Sequence, residues 1–198
     1  MSKPNRRERL RILTRDSTVE RARVERFIER RFLDRFGALI ADHYPTLLSL
    51  QSDEGEVVSA IGLRSASSEE LFLEQYFDEP IERVILEITN VVVPRSDILE
   101  VGNMASIGRA ASARLIAASV SYLSSCRYLY AVATATEELR RMLVAFGFAS
   151  RGLGAARADR LPDQGRSWGS YYEQNPEILM GEIRQVSDRV RPHARAGL

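Results

Sequence analysis

The stretch Asp97-Ile-Leu-Glu-Val-Gly-Asn-Met-Ala-Ser-Ile-Gly-Arg-Ala-Ala-Ser-Ala-Arg-Leu-Ile-Ala-Ala-Ser-Val-Ser-Tyr-Leu-Ser-Ser125 changes its apolar period partway along. Ile98, Leu99, Val101 and Met104 read as a strand, and Gly102 breaks the wall of side chains. A glycine there points to a bulge or to another group lying close on the backbone. Further on, Ala111, Leu115, Ala118 and Tyr122, with Ile116, Val120 and Leu123, fall on helical spacings. Between the two lies Ser106-Ile-Gly-Arg-Ala-Ala111, a small-residue turn opening a helix. The first N–H groups of a helix lack intrahelical partners and carry the positive end of its dipole. Ala105, Ser106, Gly108, Arg109, Ala110 and Ala111 therefore form a candidate cradle for a phosphate or pyrophosphate. Tight packing of strand against helix explains the same residues equally well.

Working outward, 198 residues fit one domain with a sizeable core. An apolar content of 44% and a charged content of 28% are ordinary for a globular chain. One cysteine, Cys126, permits neither an internal disulfide nor a cysteine-built zinc site. With His43 and His193 the only histidines, a Ser-His-Asp triad is poorly supported, a histidine-rich metal site is excluded, and no metal is expected. The first 35 residues are arginine-rich without the apolar core of a secretion signal, and no apolar run reaches membrane-span length. A cytoplasmic location is expected.

Net charge is only +1 but is unevenly placed. Residues 1–35 hold twelve Lys and Arg against six acids, whereas residues 69–100 hold nine acids against two bases. Such a basic end can attract nucleic acid, an acidic carrier protein or a lipid headgroup, or it can be an Arg/Glu-laced helix in water.

Residues 1–16 read as a basic, disordered arm preceding a single domain over 17–198. Ser17 with Glu20 has the form of a capping box, so a helix is expected from Thr18, with Val24, Phe27, Ile28 and Phe32 on its apolar face and Gly37 as its stop. Tyr44-Pro45 marks a boundary. Thr46–Gln51 and Val57–Leu63 form a hairpin around Asp53-Glu-Gly55, with Arg64 at its end. Leu71–Phe77 is apolar and aromatic, and Pro80–Thr89 is a short helix. After the central unit come a strand over Tyr128–Thr134, a helix over Glu137–Phe146 capped by Thr136, and a strand over Ala149–Ala155. Trp168-Gly-Ser-Tyr-Tyr172 either plugs the core or lines a pocket. A last helix is expected from Glu177 to about Val190. The fold class is mixed α/β: a central mixed sheet flanked by helices, antiparallel at first and βαβαβ at the end.

Leu71-Phe-Leu-Glu-Gln-Tyr-Phe-Asp-Glu-Pro80, Glu100-Val-Gly-Asn-Met-Ala105, Ala135-Thr136 with Leu139-Arg140, and Trp168-Gly-Ser-Tyr-Tyr172 resemble the thermostable-hemolysin family from about Val24 to Ile183. The resemblance implies a GNAT-like acyltransferase fold related to the acyl-homoserine-lactone (autoinducer) synthases. In those enzymes a hairpin ends in arginine, as at Arg64, and an acidic strand follows, as at Glu100. Asn103 stands where their strand motif carries arginine, and Ala105 where the GNAT pyrophosphate motif carries Arg or Gln, so homoserine-lactone chemistry is not implied.

The expected reaction moves an acyl group from a thioester, acyl-CoA or phosphopantetheinyl acyl-carrier protein, to a small amine, with no permanently bound cofactor. Glu100 is the candidate base, because a carboxylate in an apolar strand has a raised pKa; its structural alternative is an ion pair with an arginine such as Arg64. Tyr171 and Tyr172 are candidates to protonate the leaving thiolate. Arg64, Glu74, Tyr76, Asn103, Thr134 and Trp168 are candidates to contact substrate. The arginines of the first helix are a candidate surface for a carrier protein or tRNA. Two other classes compete: a membrane-active protein, as the family's name implies, and an inactive binding module on the same scaffold.

Overall fold

In the residues described by this computed structural model, 8–184, Arg9 and Arg11 alternate with Leu10 and Ile12, and that alternation forms strand β1 (Glu8–Leu13). β1 pairs antiparallel with β2 (Thr46–Ser52), Leu10 opposite Leu50 and Ile12 opposite Leu48. The segment expected as a loose basic arm is thus, over these residues, an edge strand. Its outward arginines suit an edge, where charge discourages pairing with other chains.

Helix α1 (Thr18–Phe36) begins and ends where the sequence placed it, and Gly37 takes the left-handed conformation (φ 68°) that lets its N–H reach Leu33. The expected capping box does not form: the Ser17 hydroxyl instead accepts from the Thr14 N–H at 3.3 Å. Val24, Ile28 and Phe32 are buried, and so is Arg21. Arg21 donates to the carbonyls of Tyr44 (2.7 Å) and Pro45 (2.8 Å) and pairs with Glu25. Arg31 donates to the Ser106 carbonyl at 2.9 Å, and Arg35 pairs with Glu138. These arginines tie α1 to the rest of the molecule, so part of the basic face expected for carrier protein or tRNA is absorbed by the fold, while Arg26 and Arg30 remain exposed.

The hairpin partner is β3 (Val57–Ser65), and the chain continues through α2 (Ile81–Thr89), β4 (Ile98–Ser106), α3 (Arg109–Ser125), β5 (Tyr130–Ala135), α4 (Glu137–Ala145), β6 (Arg151–Ala155) and β7 (Glu177–Glu182). Thr136 caps α4 by accepting from the Leu139 N–H. The seven strands lie in the order β1-β2-β3-β4-β5-β7-β6, and among these pairs only β4 with β5 is parallel. Two expectations fail at the end of the chain. Glu177–Glu182 is a strand rather than the start of a helix, and it inserts between β5 and β6, so no continuous βαβαβ run forms. Ile178, Leu179 and Met180 are all buried, and a slot between two strands overrides modest helix propensity. The rest of the expected helix lies largely outside the described residues.

Neighbours in sequence alternate between the faces of the sheet. Leu47 packs with Val24, Ile28 and Phe32 of α1, while Leu48 packs with Leu115 and Leu123 of α3. Ile98 joins Ile81 and Ile85 of α2, while Leu99 joins the α3 side. Both faces are therefore covered. Phe72, Trp168 and Tyr172 pack against both the α1 and α2 clusters and join them.

The bulge expected near Gly102 is present. Gly62 pairs with Gly102 and Ala60 with Ala105, so Ile61 alone faces Asn103 and Met104. Asn103 takes up the extra residue at φ 50°, a conformation asparagine tolerates better than most.

Candidate active site

β4 and β5 pair only at Ile98–Tyr130, Leu99–Ala131 and Glu100–Val132. Beyond Glu100 and Val132 the strands no longer pair, although β4 runs on to Ser106 and β5 to Ala135. A cavity of about 580 Å³ opens at this parting, lined by Val101–Ser106 on one strand and Ala133 and Thr134 on the other. Ile116, Ser119, Val120 and Leu123 of α3 line it, as do Leu139, Met142 and Leu143 of α4. An aromatic wall, Phe32, Phe36, Phe72, Tyr76, Trp168 and Tyr171, lines it as well. The rings of Trp168 and Tyr171 lie 5.2 Å apart and those of Phe36 and Tyr171 5.3 Å, so the wall is a packed cluster. Arg31, Arg35 and Arg109 bring positive charge to the lining.

The expected site residues divide in two. Ala105, Ser106, Gly108 and Arg109 line the cavity at the start of α3, whereas Ala110 and Ala111 do not. Gly108 is extended (φ 164°) and a side chain added there meets nothing, so its place needs no glycine on conformational grounds. Tyr76, Asn103, Thr134, Trp168 and Tyr171 also line the cavity. The Thr134 and Ser119 hydroxyls are buried without a hydrogen-bond partner, two polar anchors in an otherwise largely apolar lining. Tyr172 stands behind the wall, its hydroxyl 2.7 Å from that of Tyr76. Burial pushes the Tyr172 phenol up to about 12, and those of Tyr76 and Tyr171 further.

Glu74 and Arg64 are absorbed by the fold instead of lining the cavity. The Glu74 carboxylate accepts from the N–H groups of Leu71 (2.7 Å) and Ile81 (2.8 Å) and pairs with Arg95. Burial opposes its charge, but Arg95 and those donors outweigh burial and hold the carboxyl below its usual range. Arg64 donates to Asp42 at 2.7 Å and lies 4.6 Å over the Tyr44 ring.

Glu100 is only 1% exposed and is not part of the cavity lining. Its oxygens accept from the N–H groups of Phe72 (2.9 Å) and Leu73 (3.0 Å), pinning the aromatic turn to the central strand. Arg64 lies opposite it in register but gives its closest contact to Asp42, so the expected direct ion pair is replaced by backbone donors and a distant charge. Desolvation dominates and pushes the carboxyl up to about 7, against those donors, the Tyr44 hydroxyl and the Arg64 charge.

Tyr44 is the residue that sequence reasoning missed. It lines the cavity, and its hydroxyl, lying against Gly102 two residues along β4 from Glu100, is close enough to favour that carboxylate's charge. Its ring lies along the paired glycines: a Cβ on Gly62 would come within 2.6 Å of the Tyr44 Cβ, and one on Gly102 within 2.2 Å of its hydroxyl oxygen. Two glycines on facing strands, Gly62 and Gly102, were the available signal. Among the described residues, no group of three or more His, Cys, Asp or Glu side chains is placed to hold a metal, and no helix is long and apolar enough to cross a membrane.

The sheet with one parallel pair parting around a cavity is the GNAT-like fold of the autoinducer synthases. The acyl-homoserine-lactone synthase LasI superimposes with a TM-score of 0.63 at 13% identity, over 90% of this chain and 91% of that one. FeeM, an N-acyl amino acid synthase from uncultured soil microbes, gives 0.63 at 16% identity, over 93% and 95%. BjaI, a CoA-dependent acyl-homoserine-lactone synthase with SAM and isopentyl-CoA, gives 0.61 at 18%, over 97% and 90%. No curated protein matches this chain. The thermostable hemolysin family model matches residues 14–187, and the protein belongs to that family.

Proposed function

We propose that the protein is an N-acyltransferase that moves an acyl group from a phosphopantetheine thioester, on CoA or an acyl-carrier protein, to a small amine. The observation that carries this reading is the parting of β4 from β5 over the cavity. Val101–Ala105, which line the cavity and no longer pair with β5, present a strand edge that suits the amides of a pantetheine arm. The start of α3 beside Arg109 offers free N–H groups and positive charge to its phosphate. The aliphatic lining from α3 and α4 suits an acyl chain, and the aromatic wall suits the body of the amine. FeeM and BjaI, which share the fold, act in N-acyl amino acid synthesis and in CoA-dependent acyl-homoserine-lactone synthesis.

In this reaction the amine nitrogen attacks the thioester carbonyl. The C–N bond forms, the C–S bond breaks, and the nitrogen's proton ends on the released thiol. Glu100, held near neutrality by burial, is the base. Tyr171, on the cavity wall and protonated throughout the working range, is the group we assign to the leaving sulfur.

The test uses the purified chain with acyl-CoA of graded length, loaded acyl-carrier protein and a panel of primary amines that includes amino acids. Amine-dependent thiol release with a matching amide mass is expected. Absence of thiol release from every donor, with no calorimetric binding of CoA or carrier, would overturn the reading.

A further inference from the structure

We infer that Tyr44 is a catalytic residue of this site, a phenol that relays the proton of the attacking amine from the cavity to the enclosed Glu100 carboxylate. The inference rests on the acyl-transfer reading and supplies what that reading lacks. Glu100 does not line the cavity, and two of its acceptor positions are taken by the Phe72 and Leu73 N–H groups. Tyr44 does line the cavity, and its ring lies under the Arg64 that faces Glu100 across the strands. Its hydroxyl lies against Gly102, two residues from Glu100, near enough to act on the same carboxylate.

The phenol is held in place from several directions. Gly62 and Gly102 form the bed under its ring, and Gly102, against which the hydroxyl lies, lines the cavity. The Arg64 guanidinium covers the ring at 4.6 Å and is itself fixed by Asp42. Arg21 grips the Tyr44 carbonyl from α1 at 2.7 Å. The titratable and charged groups around the hydroxyl are Glu100 on β4, Arg64 on β3 and Tyr171 in the aromatic wall, with Tyr76 also close enough to feel Glu100. Burial keeps the Tyr44 phenol protonated at neutral pH, so it enters the cycle as a donor to the carboxylate.

Each transfer balances. As the C–N bond forms, the nitrogen gives a proton to the Tyr44 oxygen while the Tyr44 proton passes to Glu100. When the C–S bond breaks, Tyr171 gives its proton to the thiolate and is reprotonated from Glu100 through Tyr44, so all three groups regain their starting states. The net change is thioester plus amine to amide plus thiol.

The test compares wild type, Tyr44→Phe, Glu100→Gln and the double variant, recording kcat and donor KM between pH 5 and 9. The relay requires the plateau kcat of Tyr44→Phe to fall on the order of 10²–10³-fold with donor KM little changed. It also requires the acid limb near neutrality to vanish, and the double variant to be no slower than the worse single variant. A purely structural Tyr44 gives the opposite result. Its loss removes one donor from Glu100, so the limb moves to higher pH while the plateau rate is kept, and that outcome overturns the relay. Should Tyr44→Phe fold poorly, 2,3-difluorotyrosine placed at position 44 keeps the shape and makes the phenol more acidic, lowering its pKa. The relay requires a changed plateau rate there, and an unchanged rate overturns it. A wild-type chain that neither binds CoA nor releases thiol sinks the acyl-transfer reading and the relay with it. Full turnover in the Tyr44 variants sinks the relay alone.

Discussion

Glu100, the proposed base, also ties stability to pH at a single residue. Burial lifts its carboxyl from 4.5 to about 7, so the folded chain holds that proton more tightly than the unfolded chain does. The stability this contributes is complete below the unfolded value and is lost as pH rises through about 7, on the order of 3 kcal/mol over the interval. Glu74 titrates below that window, held down by Arg95 and two N–H groups. The melting temperature of the wild type is therefore expected to fall between pH 5 and pH 8 relative to Glu100→Gln, whose own slope flattens. Glutamine can serve only one of the Phe72 and Leu73 N–H groups as acceptor, so the variant should also lose about 1–3 kcal/mol near pH 5. Its turnover should drop roughly 10²–10⁴-fold with donor KM little changed. Thermal melts and initial rates on one preparation check both; a variant with wild-type turnover moves the base elsewhere.

At the scale of elements, the start of α3 faces the mouth of the parted strands. Gly108 is extended, lines the cavity and has open space where a side chain would go. Gly108→Trp should therefore fold with a stability change within about 0.5 kcal/mol, as surface changes usually do. Its indole would occupy the place assigned to the donor phosphate, so donor KM should rise at least tenfold with amine KM unchanged. Calorimetry with CoA reads this directly, and an unaltered CoA affinity would remove the α3 end from the donor site. The same element shows how far local signals reach. The switch from strand to helix period at Ser106–Ala111, the Gly37 stop and the Thr136 cap were all legible, because each is settled within a few residues. Ser17 was misread because its hydroxyl was taken by Thr14, a choice made by the turn that precedes the helix.

For the whole molecule, the parting leaves the sheet's two halves joined at only three residue pairs, Ile98–Tyr130 to Glu100–Val132. A donor lodged there would bridge β4 to β5. Saturating CoA or acyl-CoA, at about 100 times its dissociation constant, should then stabilise the fold by about 2.7 kcal/mol. For a chain of this length that corresponds to a rise of roughly 5–10 °C in melting temperature. Scanning fluorimetry across a donor titration reads it, and a melting point indifferent to every thioester would count against the proposed site.

The sequence by itself determined the mixed α/β class, the hairpin, the β4–α3 unit, the bulge near Gly102 and an acidic residue in the central strand. All of these are written in periodicity and in local turn chemistry. Tertiary structure alone decided that Glu8–Leu13 is an edge strand, that Glu177–Glu182 slots between β5 and β6, and that Glu74 and Arg64 serve the fold. It also decided that Tyr44, and not Glu100, lines the cavity. The reason is chain separation: Glu100 meets Phe72 across 28 residues, and Arg64 meets Asp42 across 22. Desolvation and pairing of that kind depend on which distant segments the sheet brings together, and no local pattern encodes them.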